Sequence, residues 1–129
     1  MPAAAKLQVV VVDDQLTMRT LVRTGLQQIG ISNSRDFPGA AEAWTSIQTQ
    51  PTHMVISDFN MPGMDGLEFL RAMRACDSMK NIAFILLTGR ADKELVARAV
   101  QFGANNYLVK PFTVATLKQK IEQVVGPLS

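Results

Sequence analysis

Two adjacent carboxylates at Asp13 and Asp14, a third at Asp58, a hydroxyl at Thr88 and an ammonium at Lys110 are the side chains with most chemistry to offer. Each closes a short apolar run. Two carboxylates about 4 Å apart repel by roughly 4 kcal/mol at an effective dielectric near 20, so a gathering of them invites a cation. Hard oxygen donors that leave room for water and a phosphoryl group suit Mg²⁺, or Mn²⁺ in its place. Where metal and lysine neutralise the spreading charge, a carboxylate becomes a competent nucleophile toward phosphorus. Asp58 is the candidate nucleophile, since it precedes the Gly- and Pro-containing stretch 60–66, a loop open to an incoming donor. Asp13 and Asp14 are candidate metal ligands, Lys110 a point charge for one phosphoryl oxygen and Thr88 a hydrogen-bond donor to another.

Taken singly, each residue has a plainer role. An Asp-Asp pair after a strand serves as a helix cap about as often as anything else, a Thr at a strand end is usually a turn residue, and Lys-Pro is usually loop. Their joint placement is what favours chemistry, and it depends on the elements that carry them. Apolar runs at Leu7 to Val12, Met54 to Ser57, Ile82 to Leu87 and Asn105 to Val109, with a weaker one at Ser34 to Phe37, alternate with segments of helical period. That alternation predicts βα units around a parallel sheet. Nearly continuous apolar runs need helices on both faces, which predicts an α/β three-layer sandwich, (βα)5 in plan. Ligands of such sheets bind at the carboxyl ends of the strands, and every candidate side chain falls on that rim.

The helical stripes are Met18, Leu21, Val22, Leu26 and Ile29, stopped at Gly30; Ala40, Ala43, Trp44 and Ile47; Leu67, Leu70 and Met73; Val96, Ala99 and Val100, stopped at Gly103; and Val114, Leu117, Ile121 and Val124. Pro2 to Ala5 and Gly126 to Ser129 read as frayed ends. The 129 residues suit one domain, with a core over about 7–125. At 47% apolar and 19% charged the chain lies in the globular range. No run approaches the roughly 20 apolar residues of a membrane span, and the start lacks the apolar stretch of a secretory leader, so a cytoplasmic protein without membrane contact is expected. One cysteine, Cys76, and one histidine, His53, exclude a disulfide within the chain and a thiolate or imidazole metal cluster. A formal charge of +2, without a basic stripe, argues against nucleic acid. His53, Cys76 and Trp44 are read as strand-edge, helix-end and packing residues.

With these residues in place the chain resembles the receiver-domain family of response regulators, and within it the chemotaxis branch. The resemblance spans about the whole chain and rests on Val11 to Asp14, Thr17 to Arg19, Ser57 to Gly66, Thr88 with Gly89, and Gly103 to Thr113. It implies a doubly wound sheet of order 2-1-3-4-5. It also implies Mg²⁺ held by Asp14, Asp58 and the Asn60 backbone carbonyl with Asp13 acting through water, and a cis Lys110-Pro111 bond. It further implies that Thr88 moves toward the phosphoryl group while Tyr107 turns inward, and that the output surface carries Arg90, Ala91, Lys93, Val96, Tyr107 and Lys120. The implied partners are a histidine kinase of the chemotaxis type as phosphodonor, the flagellar motor switch protein as target and a phosphatase, with the protein itself monomeric. A mixed basic and apolar face suits an acidic amphipathic partner segment, although Asp92, Glu94 and Glu122 interleave with it.

Three other functions share parts of this pattern. A phosphate sink needs the same acidic site and no output surface. A receiver excised from a longer regulator would continue into a linker after Gly126. A metal-dependent phosphatase of external substrates would want an acid two residues after its nucleophile, where Asn60 stands. One position departs from the chemotaxis pattern: Arg90, two residues after Thr88, stands where those relatives tend to carry an acid, beside the path of the attacking water. Replacing it, Arg90→Glu, is expected to change the autodephosphorylation rate several-fold, consistent with ~1 kcal/mol from one relocated charge. An unchanged decay of labelled phosphoprotein would reject that role.

Overall fold

The computed structural model describes residues 3–89 and 92–129. Five strands, β1 (Gln8–Val12), β2 (Asn33–Phe37), β3 (Met54–Asp58), β4 (Ala83–Thr88) and β5 (Asn106–Val109), alternate with five helices. The helices are α1 (Leu16–Ile29), α2 (Ala40–Thr49), α3 (Gly66–Arg74), α4 (Lys93–Gln101) and α5 (Val114–Val125). All strand pairs are parallel and the order is β2-β1-β3-β4-β5, as the resemblance implied. The expected strands agree to within a residue at most ends.

Successive strand residues point to opposite faces, and the core divides accordingly. Val10, Val12, Val55, Phe84 and Leu86 pack with α2, α3 and α4, through Ala43, Ile47, Leu70, Met73, Leu95 and Ala99. Val9, Val11, Ile56, Ile85 and Leu87 pack with α1 and α5, through Val22, Leu26, Leu117 and Ile121. Both faces of the sheet are therefore dry, which is why the strands read as unbroken apolar runs.

Several helix faces sit differently from their stripes. Leu21 and Val100 are more than half exposed and Val114 is exposed too, whereas Leu95, absent from the expected stripe, is buried. On α4 the buried line runs through Leu95 and Ala99, one residue back from Val96 and Val100, and Asp92 caps the helix by accepting from the Leu95 amide. The described residues near the two ends are held by hydrogen bonds. Ala4–Lys6 form a 3-10 turn, the Ala4 N–H donates to the Ser129 carbonyl, and the Leu128 N–H donates to Glu122 Oε2. Pro2 lies outside the described residues. His53 does more than edge its strand: its Nδ1 accepts from the Gln8 N–H at 2.9 Å, joining the starts of β1 and β3.

Helix α1 packs tightly on α5 at Gly25, where a Cβ would stand 2.9 Å from Leu117 Cδ2. Because Leu117 is fully buried, it has little room to yield. Substitution Gly25→Val is expected to cost about 1–3 kcal/mol, as overpacking does, read as a lower urea midpoint with an unchanged slope.

Candidate functional site

Strand register builds the acidic site. Val12 pairs with Ser57, so the next step along the two strands sets Asp13 beside Asp58, on strands whose spacing is about 4.8 Å. Asp58 pairs with Leu87 and Thr88 with Val109, which puts Thr88 and Lys110 on the same rim. Carboxylate oxygens of Asp13, Asp14 and Asp58 lie within 4.8 Å of one another. Asp13, Asp58 and Thr88 are buried, while Asp14 is exposed. The Lys110 ammonium reaches into the group, 3.0 Å from Asp58 Oδ1 and 3.3 Å from Asp13 Oδ2.

These contacts set the protonation tendencies. Burial pushes the Asp13 carboxyl above the usual carboxylate range; the Gln15 N–H, donating to Oδ1 at 2.9 Å, opposes this, Asp58 adds to it and Lys110 opposes it. Burial alone would lower Lys110, but the Asp58 hydrogen bond and charge, seconded by Asp13, outweigh it and hold the ammonium above its usual value. One ammonium against three carboxylates leaves the cluster net anionic. An all-oxygen donor set with surplus negative charge fits a hard divalent cation such as Mg²⁺.

The backbone beneath is tightly fixed. Phe59 N–H donates to the Leu87 carbonyl and Gly66 N–H to the Phe59 carbonyl, each at 2.9 Å, folding the loop 59–66 back on the end of β3. Ser57 Oγ donates to the Asp58 carbonyl at 3.1 Å. A Cβ at Gly66 would collide with that same carbonyl oxygen, so glycine is required where α3 begins against the strand. Lys110 N–H donates to the Thr88 carbonyl at 2.8 Å, and the Lys110-Pro111 bond is cis, as expected.

The remaining expected residues fall at varied distances from this centre. Asn60 is exposed in the loop after Asp58. Tyr107 is half-buried on β5 against the α2, α3 and α4 side of the core, with Lys120 Nζ 4.3 Å above its ring. Lys93 is exposed on α4 and Val96 half-buried; Arg90 and Ala91 lie outside the described residues. Three contributors escaped the sequence reading: Gly66 as a spacer, Ser57 as a buried hydroxyl, and Arg19, whose Nη1 donates to the Asp13 carbonyl at 2.7 Å. All three lay within motifs noted for their likeness alone, without a physical role attached.

A profile described as the response regulator receiver domain matches residues 9–122. The chain belongs to that family. Among curated relatives of this receiver domain, one named "Probable chemotaxis protein CheY" from Rhizobium etli is 46% identical over 99% of both chains. "Chemotaxis protein CheY-3" from Vibrio cholerae is 35% identical over 92% of this chain and 91% of its own. The solved structure of Vibrio cholerae CheY4 superposes with a TM-score of 0.85 at 32% identity, covering 92% of this chain and 98% of that one. The receiver domain is thus a two-component response regulator of CheY type, and no helix among its described residues is long and apolar enough to cross a membrane.

A buried carboxyl whose protonation is favoured by folding lowers stability once ionised. For a raised carboxyl the penalty grows as pH rises from 3.8 through the folded-state value and then stays constant. Asp13→Asn is accordingly expected to melt a few degrees above wild type at pH 7 with chelator present, the advantage shrinking as pH falls toward 3.8. Thermal melts across that range check it.

Proposed function

We propose that this receiver domain is a phosphorylation switch. Asp58 accepts a phosphoryl group from the phosphohistidine of a chemotaxis-type kinase, and the phosphorylated form binds the flagellar motor switch protein. The observation that carries the proposal is Lys110 Nζ lying between Asp58 and Asp13 amid three converging carboxylates, on a rim that also holds Thr88. Asp13, Asp14, Asp58 and the Asn60 carbonyl would hold Mg²⁺, with Asp13 acting through water. When bound, the ion supplies neutralisation of the charge that spreads over the transferring oxygens.

Asp58 then acts as nucleophile. Its free carboxylate oxygen attacks phosphorus, the P–N bond to the donor imidazole breaks, and that imidazole leaves with the electron pair and takes up a proton. Lys110 moves from its two carboxylate partners to a phosphoryl oxygen as a point charge, and the Thr88 hydroxyl donates to another. Hydrolysis ends the phosphorylated state: water attacks the phosphorus of the aspartyl phosphate, the P–O bond to Asp58 breaks, and inorganic phosphate leaves with the Asp58 carboxylate restored.

Strand alternation suggests how the event is read. Leu86, two residues before Thr88, pairs with Tyr107, so Thr88 and Tyr107 share the face covered by α2, α3 and α4. Motion of Thr88 toward the phosphoryl group opens space on that face, and the half-buried Tyr107 fills it, shifting a population between two packings. Lys120 over the ring and the exposed Lys93 would then present a basic surface altered in shape. The chemotaxis names of the relatives support the motor as target.

Acetyl phosphate is expected to label wild type only with Mg²⁺ present and to leave Asp58→Asn unlabelled, and beryllofluoride is expected to promote capture of the motor switch protein. Label on the variant, or uptake indifferent to metal, would reject the site; equal capture with and without beryllofluoride would reject the target.

A further inference from the structure

The segment Thr17 to Arg19 marked the resemblance, yet neither the nucleophile nor the metal ligands account for it. Successive residues of an extended strand send their side chains to opposite faces, so Asp13 and Asp14 would diverge if β1 simply continued. Instead their carboxylate oxygens meet that of Asp58 within 4.8 Å. The chain must leave strand geometry at the peptide that joins them, and that peptide's carbonyl belongs to Asp13.

Arg19 holds it. Its Nη1 donates to the Asp13 carbonyl at 2.7 Å, and its Nε donates to Asp36 Oδ2 at 2.8 Å. The other Asp36 oxygen accepts from Arg23 Nη1 at 2.8 Å, one helical turn farther along α1. Arg23 in turn donates from Nε to Ser34 Oγ and from Nη2 to the Ser34 carbonyl. On the other side of Asp13, its N–H donates to the Phe37 carbonyl, so the end of β2 fixes both peptides flanking this residue. The Arg19 side chain is only 14% exposed and Asp36 21%, so water competes weakly for these charge-assisted bonds.

We infer that Arg19, oriented by Asp36, is a positioning residue of the acidic site, locking the Asp13–Asp14 peptide so that both carboxylates face the ion. The inference rests on reading that site as a divalent-cation site. The guanidinium bonds to the Asp13 carbonyl and to Asp36, so it acts on the acidic site through the backbone. Outer partners of metal ligands typically alter metal affinity by about 10- to 100-fold when removed.

The test is Mg²⁺ binding alone, by titration calorimetry, beside thermal melts. Arg19→Gln and Asp36→Asn are each expected to raise the Mg²⁺ dissociation constant about tenfold, and the double variant no further than the worse single, since both break one clamp. Arg74→Gln is the control. That arginine donates to the Gly103 and Ile82 carbonyls at the far end of the sheet, so its loss should lower the melting temperature and leave Mg²⁺ affinity unchanged. If Arg19→Gln fails to fold, Asp36→Asn carries the test, because it keeps the arginine and removes only its orientation. Mg²⁺ affinity equal to wild type in Arg19→Gln and Asp36→Asn overturns the inference, as does an equal loss in Arg74→Gln. Wild type that binds no Mg²⁺, or Asp58→Asn that binds it equally well, removes the cation site itself and the inference with it.

Discussion

Negative charge held against its own repulsion is the constraint from which the rest of this molecule follows. Asp13 and Asp58 end adjacent parallel strands in register, where two ionised carboxylates repel each other. Lys110, reaching in from the end of β5, is the internal counterweight, and it must cross the end of β4 to do so. Such an arrangement survives because strands buried on both faces cannot slip. A one-residue shift would turn Val9 and Val11 out of one half of the core and Val10 and Val12 out of the other. The hydrophobic layers thus offset the electrostatic cost of the rim, and the site retains a standing appetite for positive charge.

How much of this was legible depended on how each feature writes itself into the chain. Parallel strands covered on both sides must be apolar at every position, so β1, β3 and β4 could be seen directly, and with them the residues at their ends. Helix faces were blurrier. Val96 and Leu95 are both apolar, so residue type alone does not say which one turns inward. Leu21 on α1 and Val100 on α4 fit their stripes and are nonetheless exposed, a reminder that periodicity measures compatibility with burial and not burial itself. Least visible were bonds from long side chains to distant backbone. Arg19 on the Asp13 carbonyl and Arg74 on Gly103 follow no period and no short-range spacing. The bonds at the two chain ends left no trace for the same reason.

The sheet also works as a partition. Lys110 and the Asp13 and Asp58 carboxylates follow the alternation of the α1 and α5 side, whereas Tyr107 lies with the α2, α3 and α4 side. Charge gathered at the edge common to both can therefore bias packing on a face remote from α1. On that face Arg71 of α3 and Arg98 of α4 both lie over the Phe102 ring, 5.0 and 5.9 Å from its centroid, which ties the two helices to one aromatic side chain.

The hydrogen bond from Ala4 to the Ser129 carbonyl makes the polypeptide almost a closed loop. Both ends leave the fold at the amino-terminal edge of the sheet, the whole length of a strand away from the acidic rim. Whatever is attached to either end, whether a neighbouring domain, a surface or a fluorescent label, hangs from the floor of the molecule and leaves its charged roof clear.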